Sequence, residues 1–505
     1  MLTGLHALVE NIREEMVNLL AINGAKGRDA MPAFEHQLCS DLPRQNVLQI
    51  WQTLVPLLWA VFIVPVTMAE QVHWTNSDES NTVAFRSATV CSACHSRIYN
   101  EWSKSWMARA YSNATFQANY AKVKASAAQG STTTARSCLR CHAPFQYNDV
   151  SGERATTSEG VSCDYCHRVT QVRERSTQVH VPVLDSSGVI YGPSGGIDSS
   201  AHSTQRGSAF SDSSLCAMCH LDIDASGIPL ERTYEEWKSS DFAKRGVGCA
   251  GCHMPQRDGP ATDLPGVAPR GSTHSSHRFH GGHANSPMLQ SAARVEVVSA
   301  DASRGLEIRV RNATVGHNFP TAGAHPNKLS LEIEIIGADG EVLQREVRGY
   351  SFTYLNTSGR EATGDELVAS VRDTTLAPLE LRTENFSAAL LIGGIRGTVQ
   401  LVYRLIPKEI GLQGLNLSKS FFTENYRPVV IDKASFQVIH QQATIGTTDP
   451  QALNDASVHP SVVSVYTDIE EGLEAYDSGN YRKARELFQA EADKGDPEAK
   501  HLMAS

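Results

Sequence analysis

Ten of the 11 cysteines fall into five identical Cys-x-x-Cys-His blocks, and only Cys39 is left over. The blocks are Cys91-Ser-Ala-Cys94-His95, Cys138-Leu-Arg-Cys141-His142, Cys163-Asp-Tyr-Cys166-His167, Cys216-Ala-Met-Cys219-His220 and Cys249-Ala-Gly-Cys252-His253. At this composition roughly 0.01 such blocks are expected by chance. Each block reads as a c-type haem attachment site. Two thiols add to the haem vinyl groups, and the adjacent His becomes the proximal iron ligand. Zinc ligation does not require a His directly after every second Cys, and thioether formation consumes the thiols that disulfides would need. Five covalent haem c groups are therefore expected, with His95, His142, His167, His220 and His253 as proximal ligands.

Whether each sixth iron position is filled decides between an electron carrier and a catalyst. Nine further histidines are available: His73, His180, His202, His274, His277, His280, His283, His317 and His325. Nine spare imidazoles for five irons make bis-His ligation of most haems the economical reading. Iron–sulfur, flavin and nicotinamide motifs are absent. Lys+Arg 45 against Asp+Glu 55 gives a net charge of −10, which argues against a nucleic-acid partner. Redox partner proteins are expected instead.

The elements that must position these groups change along the 505 residues. From Glu70 to about Gln290 the composition favours Ser, Ala, His and Gly, with few apolar runs. Such a stretch cannot bury a conventional core, so residues 70–290 are expected to be a haem-packed, mostly α-helical or irregular domain. Helices are expected over Tyr99 to Tyr111 and Tyr234 to Ala243. From residue 291 the pattern turns to period-two alternation, as in Arg294-Val295-Glu296-Val297, Leu306 to Val310 and Leu329 to Ile335. Leu343 to Phe352, Leu381 to Ala389, Thr398 to Ile406 and Val429 to Ile439 continue it. Short strands separated by Gly and Asn/Asp turns predict an antiparallel β-sandwich over 291–445. A polar linker then leads to a helical hairpin within 446–505, broken at Ser478-Gly479-Asn480, which resembles one tetratricopeptide or Sel1-type repeat. It either docks on the sandwich or offers a partner surface, for example to another cytochrome.

Ahead of the haem motifs, Leu54 to Met68 is almost uninterruptedly apolar and is followed by Thr67-Met68-Ala69 and then Glu70. Small residues before a polar start match a signal-peptidase site, so 47–69 is expected to be an export signal or, if uncleaved, a membrane anchor. Haem c is attached outside the cytoplasm, which agrees with a periplasmic or extracellular location. Residues 1–46 are a polar extension foreign to signal peptides. A start assigned too far upstream would explain it, and Cys39 would then be missing from the mature protein.

Several of these segments resemble the cytochrome c-554-like group of multihaem cytochromes. They include Glu159-Gly-Val-Ser-Cys163-Asp-Tyr-Cys166-His167, and Tyr191-Gly-Pro with His202 ahead of Ser214-Leu215-Cys216. Tyr234-Glu-Glu-Trp237-Lys-Ser-Ser ahead of Cys249 is a third. The similarity covers residues 85–290. Ser276-His277-Arg-Phe279 and Gly316-His317-Asn-Phe319-Pro320-Thr321 resemble that group's motifs carrying distal histidines. The resemblance therefore implies His202, His277 and His317 as distal iron ligands, with His283 a candidate in a less distinctive frame. Related proteins often carry Trp-x-x-Ser-x-His after the first site, whereas here Trp102-Ser-Lys-Ser105-Trp106-Met107 places Met at the His position. Met107 either ligates an iron, raising that haem's potential, or packs against a porphyrin. Electron transfer is the expected function. An oxidoreductase acting on nitrite, hydroxylamine or a similar small nitrogen compound at one open haem is the alternative.

Overall fold

Between residues 293 and 446 apolar and polar residues alternate, and in the computed structural model these runs are antiparallel strands. The structure describes residues 85–446 with short interruptions, chiefly 129–134, 149–158, 263–271, 283–286, 322–326, 363–367, 388–390 and 392–393, together with 472, 475 and 480–493. All of them lie in the compact unit Asn76–Ser505. The expected N-terminal extension, Cys39, the apolar segment 47–69, His73, His283, His325 and most of the C-terminal hairpin lie outside the described residues.

Two sheets dominate the β-rich half. A three-stranded sheet orders Leu381–Phe386, Gly305–Asn312 and Ala293–Asp301. A five-stranded sheet orders Val342–Tyr350, Lys328–Ile336, Ile395–Arg404, Val429–Ile439 and Gln442–Gly446. Alternate residues of the first sheet (Val295, Val297, Ile308, Val310) and of the second (Leu329, Leu331, Ile333, Val399, Leu401, Phe436, Val438) enter one shared core. Register places Leu331 opposite Leu401, and Gly397 opposite Phe436. A Cβ on Gly397 would lie 2.1 Å from the Phe436 ring, so only glycine admits that ring. Val368–Asp373 pairs with Phe352–Asn356 in a separate two-stranded sheet.

The haem-motif half is built from short helices, among them Ala88–Ser92, Ser96–Ser103, Ala114–Ala128, Ala135–His142, Cys163–Cys166, Ser214–His220, Thr233–Lys238, Asp241–Lys244 and Cys249–His253. The helix expected over Tyr99 to Tyr111 stops at Ser103, because the Ser105 hydroxyl accepts the Ala108 N–H and redirects the chain. The run Tyr234 to Ala243 likewise splits in two where the Ser240 hydroxyl caps the second helix through the Ala243 N–H. No strand alternation marks this region, yet the structure has an antiparallel hairpin, Val169–Ser176 with Val179–Leu184. Three further short pairs join Ile190–Gly192 to Thr204–Arg206, Asp222–Ile223 to Pro229–Glu231, and Gln256–Asp258 to Thr273–Ser275. These pairs satisfy backbone groups between motifs, a task hydrophobic periodicity does not report.

At the C-terminus, Tyr481–Asp493 is helical and buries Ala484 and Phe488, with Gly472 and Ala475 also buried.

Candidate functional site

Helical geometry brings residues i, i+3 and i+4 onto one face, so one turn suffices to present two thiols and an imidazole together. The His95 N–H bonds to the Cys91 carbonyl at 3.0 Å, and the His167 N–H to the Cys163 carbonyl at 3.0 Å. The first and third motifs are locked to each other by buried polar groups. Asp164, inside the third motif, accepts the Arg86 backbone N–H at 2.8 Å and its guanidinium at 2.9 Å. Glu159 accepts the Ala88 N–H at 3.0 Å and the Ser162 hydroxyl at 2.6 Å. The Trp102 indole donates to the Val161 carbonyl at 2.8 Å. Between the fourth and fifth motifs, Ser213 sits at φ 63° and its hydroxyl accepts the Cys249 N–H at 3.1 Å. Thiols of different motifs also meet: Cys91 with Cys163, Cys141 with Cys219, and Cys216 with Cys249.

Three of the motif histidines face a second imidazole. The ring centroids of His95 and His202 are 6.4 Å apart, those of His167 and His277 6.3 Å, and those of His253 and His317 6.3 Å. Interplanar angles are 28°, 24° and 15°. In five of these six rings Nδ1 is engaged by a backbone carbonyl. The partners are Ala261 for His95, Tyr191 for His167, His280 for His253, Ser275 for His277 and Asn318 for His317. That bond orients the ring and leaves Nε2 available as a metal ligand. Burial pushes His277 and His317 down to about 4, with the facing His167 and His253 adding to the effect. Burial also lowers His167, His202 and His253. In all five the shift favours the neutral imidazole, the form that ligates a metal.

Of the remaining motif histidines, His142 gives Nδ1 to the Ala110 carbonyl at 3.0 Å and stacks on Phe116 at 4.0 Å. Both His142 and His220 stand outside the three pairs. The carbonyl of Met107 accepts the Val161 N–H at 2.8 Å, and its side chain is half-buried. His274 has both ring nitrogens occupied, Nδ1 by the Gly259 carbonyl at 3.0 Å and Nε2 by Glu101 at 3.2 Å. His180 is buried against Tyr234, with Nδ1 lacking a hydrogen-bond partner.

Sequence reasoning passed over two buried acids at the distal loops. Glu101 accepts the His277 backbone N–H at 2.8 Å, and Glu236 accepts the Asn318 N–H at 3.2 Å and the Thr321 hydroxyl at 2.8 Å. Burial pushes the Glu101 carboxyl up, but the hydrogen bonds from His274 and the His277 N–H, with the Arg257 charge, hold it below its ordinary value. Their partners are remote in sequence, so the only local signal is a Glu-Trp step occurring in both helices.

Residues 90–168 match the family described as cytochrome c554 and c-prime. The chain is similar in structure to a penta-heme cytochrome c552 from Thermochromatium tepidum, with a TM-score of 0.53 and 21% identity, covering 69% of this chain and 98% of that one. The fold is that of a multihaem c-type cytochrome. No curated protein matches the chain. The five Cys-x-x-Cys-His blocks and the histidines facing them fit covalent haem c. Two metal–imidazole bonds of about 2 Å and the two ring radii span about 6.4 Å, the separation seen in all three histidine pairs. Among the described residues no helix is long and apolar enough to cross a membrane.

Proposed function

We propose that this protein is a pentahaem electron carrier that works outside the cytoplasm and exchanges single electrons with partner redox proteins. The observation that carries this reading is the set of three opposed imidazole pairs at one common spacing. Haem c, held through the cysteines of each motif, supplies reversible one-electron chemistry. The chain's own residues do the rest. His95, His167 and His253 are proximal ligands, and His202, His277 and His317 are their distal counterparts. Backbone carbonyls on Nδ1 fix five of the six rings, which limits reorientation on a change of charge. With an imidazole on each side, these three sites would offer a small substrate no open coordination position.

Further parts of this reading are that 47–69 directs export, that the mature chain begins at Glu70, and that 291–445 is a β-sandwich docked on the haem domain. The C-terminal hairpin would provide a surface for other cytochromes. Intact mass and pyridine haemochrome analysis test the haem count, with five covalent haems expected. Magnetic resonance of the oxidised protein tests the function: low-spin signals from the haems of the three imidazole pairs, unchanged by nitrite, hydroxylamine or carbon monoxide, are expected. A high-spin haem that turns over nitrite or hydroxylamine would instead place an oxidoreductase site at His142 or His220, the two proximal residues outside the opposed pairs.

A further inference from the structure

Two segments far apart in sequence share one design. Tyr99-Asn100-Glu101-Trp102 lies in the helix Ser96–Ser103, and Tyr234-Glu235-Glu236-Trp237 in the helix Thr233–Lys238. In each, the Tyr and Trp rings lie against one another, at 5.7 Å and 46° in the first and 5.5 Å and 41° in the second. Each indole donates to a valine carbonyl two residues before the first Cys of a haem motif: Trp102 to Val161 at 2.8 Å, Trp237 to Val247 at 2.9 Å. Each segment ends at a serine, Ser105 or Ser240, whose hydroxyl accepts the N–H of an alanine, Ala108 or Ala243. The carbonyl just before that alanine, of Met107 or Phe242, accepts the valine's N–H at 2.8 and 2.9 Å.

The glutamates form the third arm. Glu101 reaches the backbone N–H of His277, and Glu236 reaches the N–H of Asn318, directly after His317. The loops reached are themselves alike, Ser276-His277-Arg278-Phe279 and Gly316-His317-Asn318-Phe319. The proximal histidines of the two clamped motifs, His167 and His253, are the ones that face His277 and His317.

We infer that Glu101 and Glu236 are equivalent positioning residues of a duplicated clamp, which holds the axial imidazole pairs His167–His277 and His253–His317. In each copy the indole fixes the approach to the proximal His and the carboxylate fixes the loop of the distal His. The inference rests on reading those pairs as iron ligands. Packing alone does not call for a carboxylate here. Glu101 and Glu236 are 4% and 5% exposed, and a buried carboxylate is costly unless its acceptor capacity is filled. Glu101 is filled by the His277 N–H, His274 and Arg257, whereas the donors named for Glu236 are the neutral Asn318 N–H and Thr321 hydroxyl. The equivalence also gives Met107 the place of Phe242. The Phe242 ring lies beside Gly316, where a Cβ would meet its Cγ at 3.2 Å.

The test uses the full-length haem-loaded protein and its Glu101→Ala, Glu236→Ala, Glu101→Gln and Glu236→Gln variants, read by magnetic resonance of the oxidised state and by redox titration. Each Ala variant should change the low-spin signal and potential of one haem, a different haem in each, and the double variant should change both additively. Glu101→Gln and Glu236→Gln keep an oxygen that accepts the loop N–H, so any change they cause should be smaller than with Ala and confined to the same haem. Ala variants with full haem content and unmoved signals would overturn the inference. Should the Ala variants fail to mature, the Gln variants decide: a spectrum unchanged or changed at that one haem alone supports the clamp, and a change spread over other haems overturns it. Absence of bis-imidazole low-spin haem in the unmodified protein would be a failure of the functional reading itself, recognisable before any variant is made.

Discussion

Leu331 and Tyr165 are both buried, but by different kinds of neighbour. Leu331 belongs to a cluster drawn from two sheets, in which Val297, Ile308, Val399 and Leu401 are likewise buried. Tyr165, between two haem-binding cysteines, belongs to a small cluster of Phe145, Val169, Ala209 and Met218. The haem-motif half compensates with directional bonds made in the interior. Asp164 holds Arg86, Glu101 holds Arg257 and His274, and backbone carbonyls hold ring nitrogens. One half is ordered by the volume and period of its own apolar side chains. The other is ordered by polar groups that set ligands at chosen points around a core supplied from outside the polypeptide.

The largest effect that would break this contrast is removal of that external core. Protein produced without haem attachment should lose amide protection throughout residues 85–290 while the strands between 293 and 439 keep theirs, measured by hydrogen exchange. Uniform loss in both halves would show that they share one core. Next, Leu331→Ala should cost the β-rich half about 2–5 kcal/mol, seen as a lower denaturation midpoint by circular dichroism, with low-spin haem signals unaltered below that midpoint. His317→Ala sharpens the boundary, because its loop is carried by the β-rich half. It should convert a single haem to a form that binds carbon monoxide while the other haems stay unchanged in the optical spectrum. The smallest effect is expected for Met107→Phe, which should leave every low-spin signal and potential in place; loss of one low-spin signal would make Met107 an iron ligand.

How far each half could be read from sequence follows the same division. Val429–Ile439 begins and ends where its alternation does, and the other expected strands lie within a few residues of those observed, because burying one face of a sheet imposes period two directly. The Cys-x-x-Cys-His turns are as legible, since their pattern is written in five contiguous residues. His202, His277 and His317 came from motif resemblance, and the structure sets each opposite the His of one such block. Glu101 and Glu236 were invisible because a carboxylate's value there depends on amides brought near only by folding. Ser105 and Ser240 were missed as helix breaks for a related reason: serine is tolerated in a helix until its hydroxyl finds a backbone N–H to cap.

The loop bearing His317 has a consequence for the order in which the molecule can be completed. Asn312, fully buried, donates from its side chain to the carbonyls of His317 and of Leu376, both at 3.1 Å, and Phe319 exchanges backbone hydrogen bonds with Leu376. A polypeptide ending before Leu376 would therefore contain all five Cys-x-x-Cys-His blocks and still lack the fastening for the His317 loop. During synthesis the fifth block emerges long before the segment that secures the imidazole facing its His253. The seating of His317 opposite His253 is thus a record that the downstream strands have been made and have found their places.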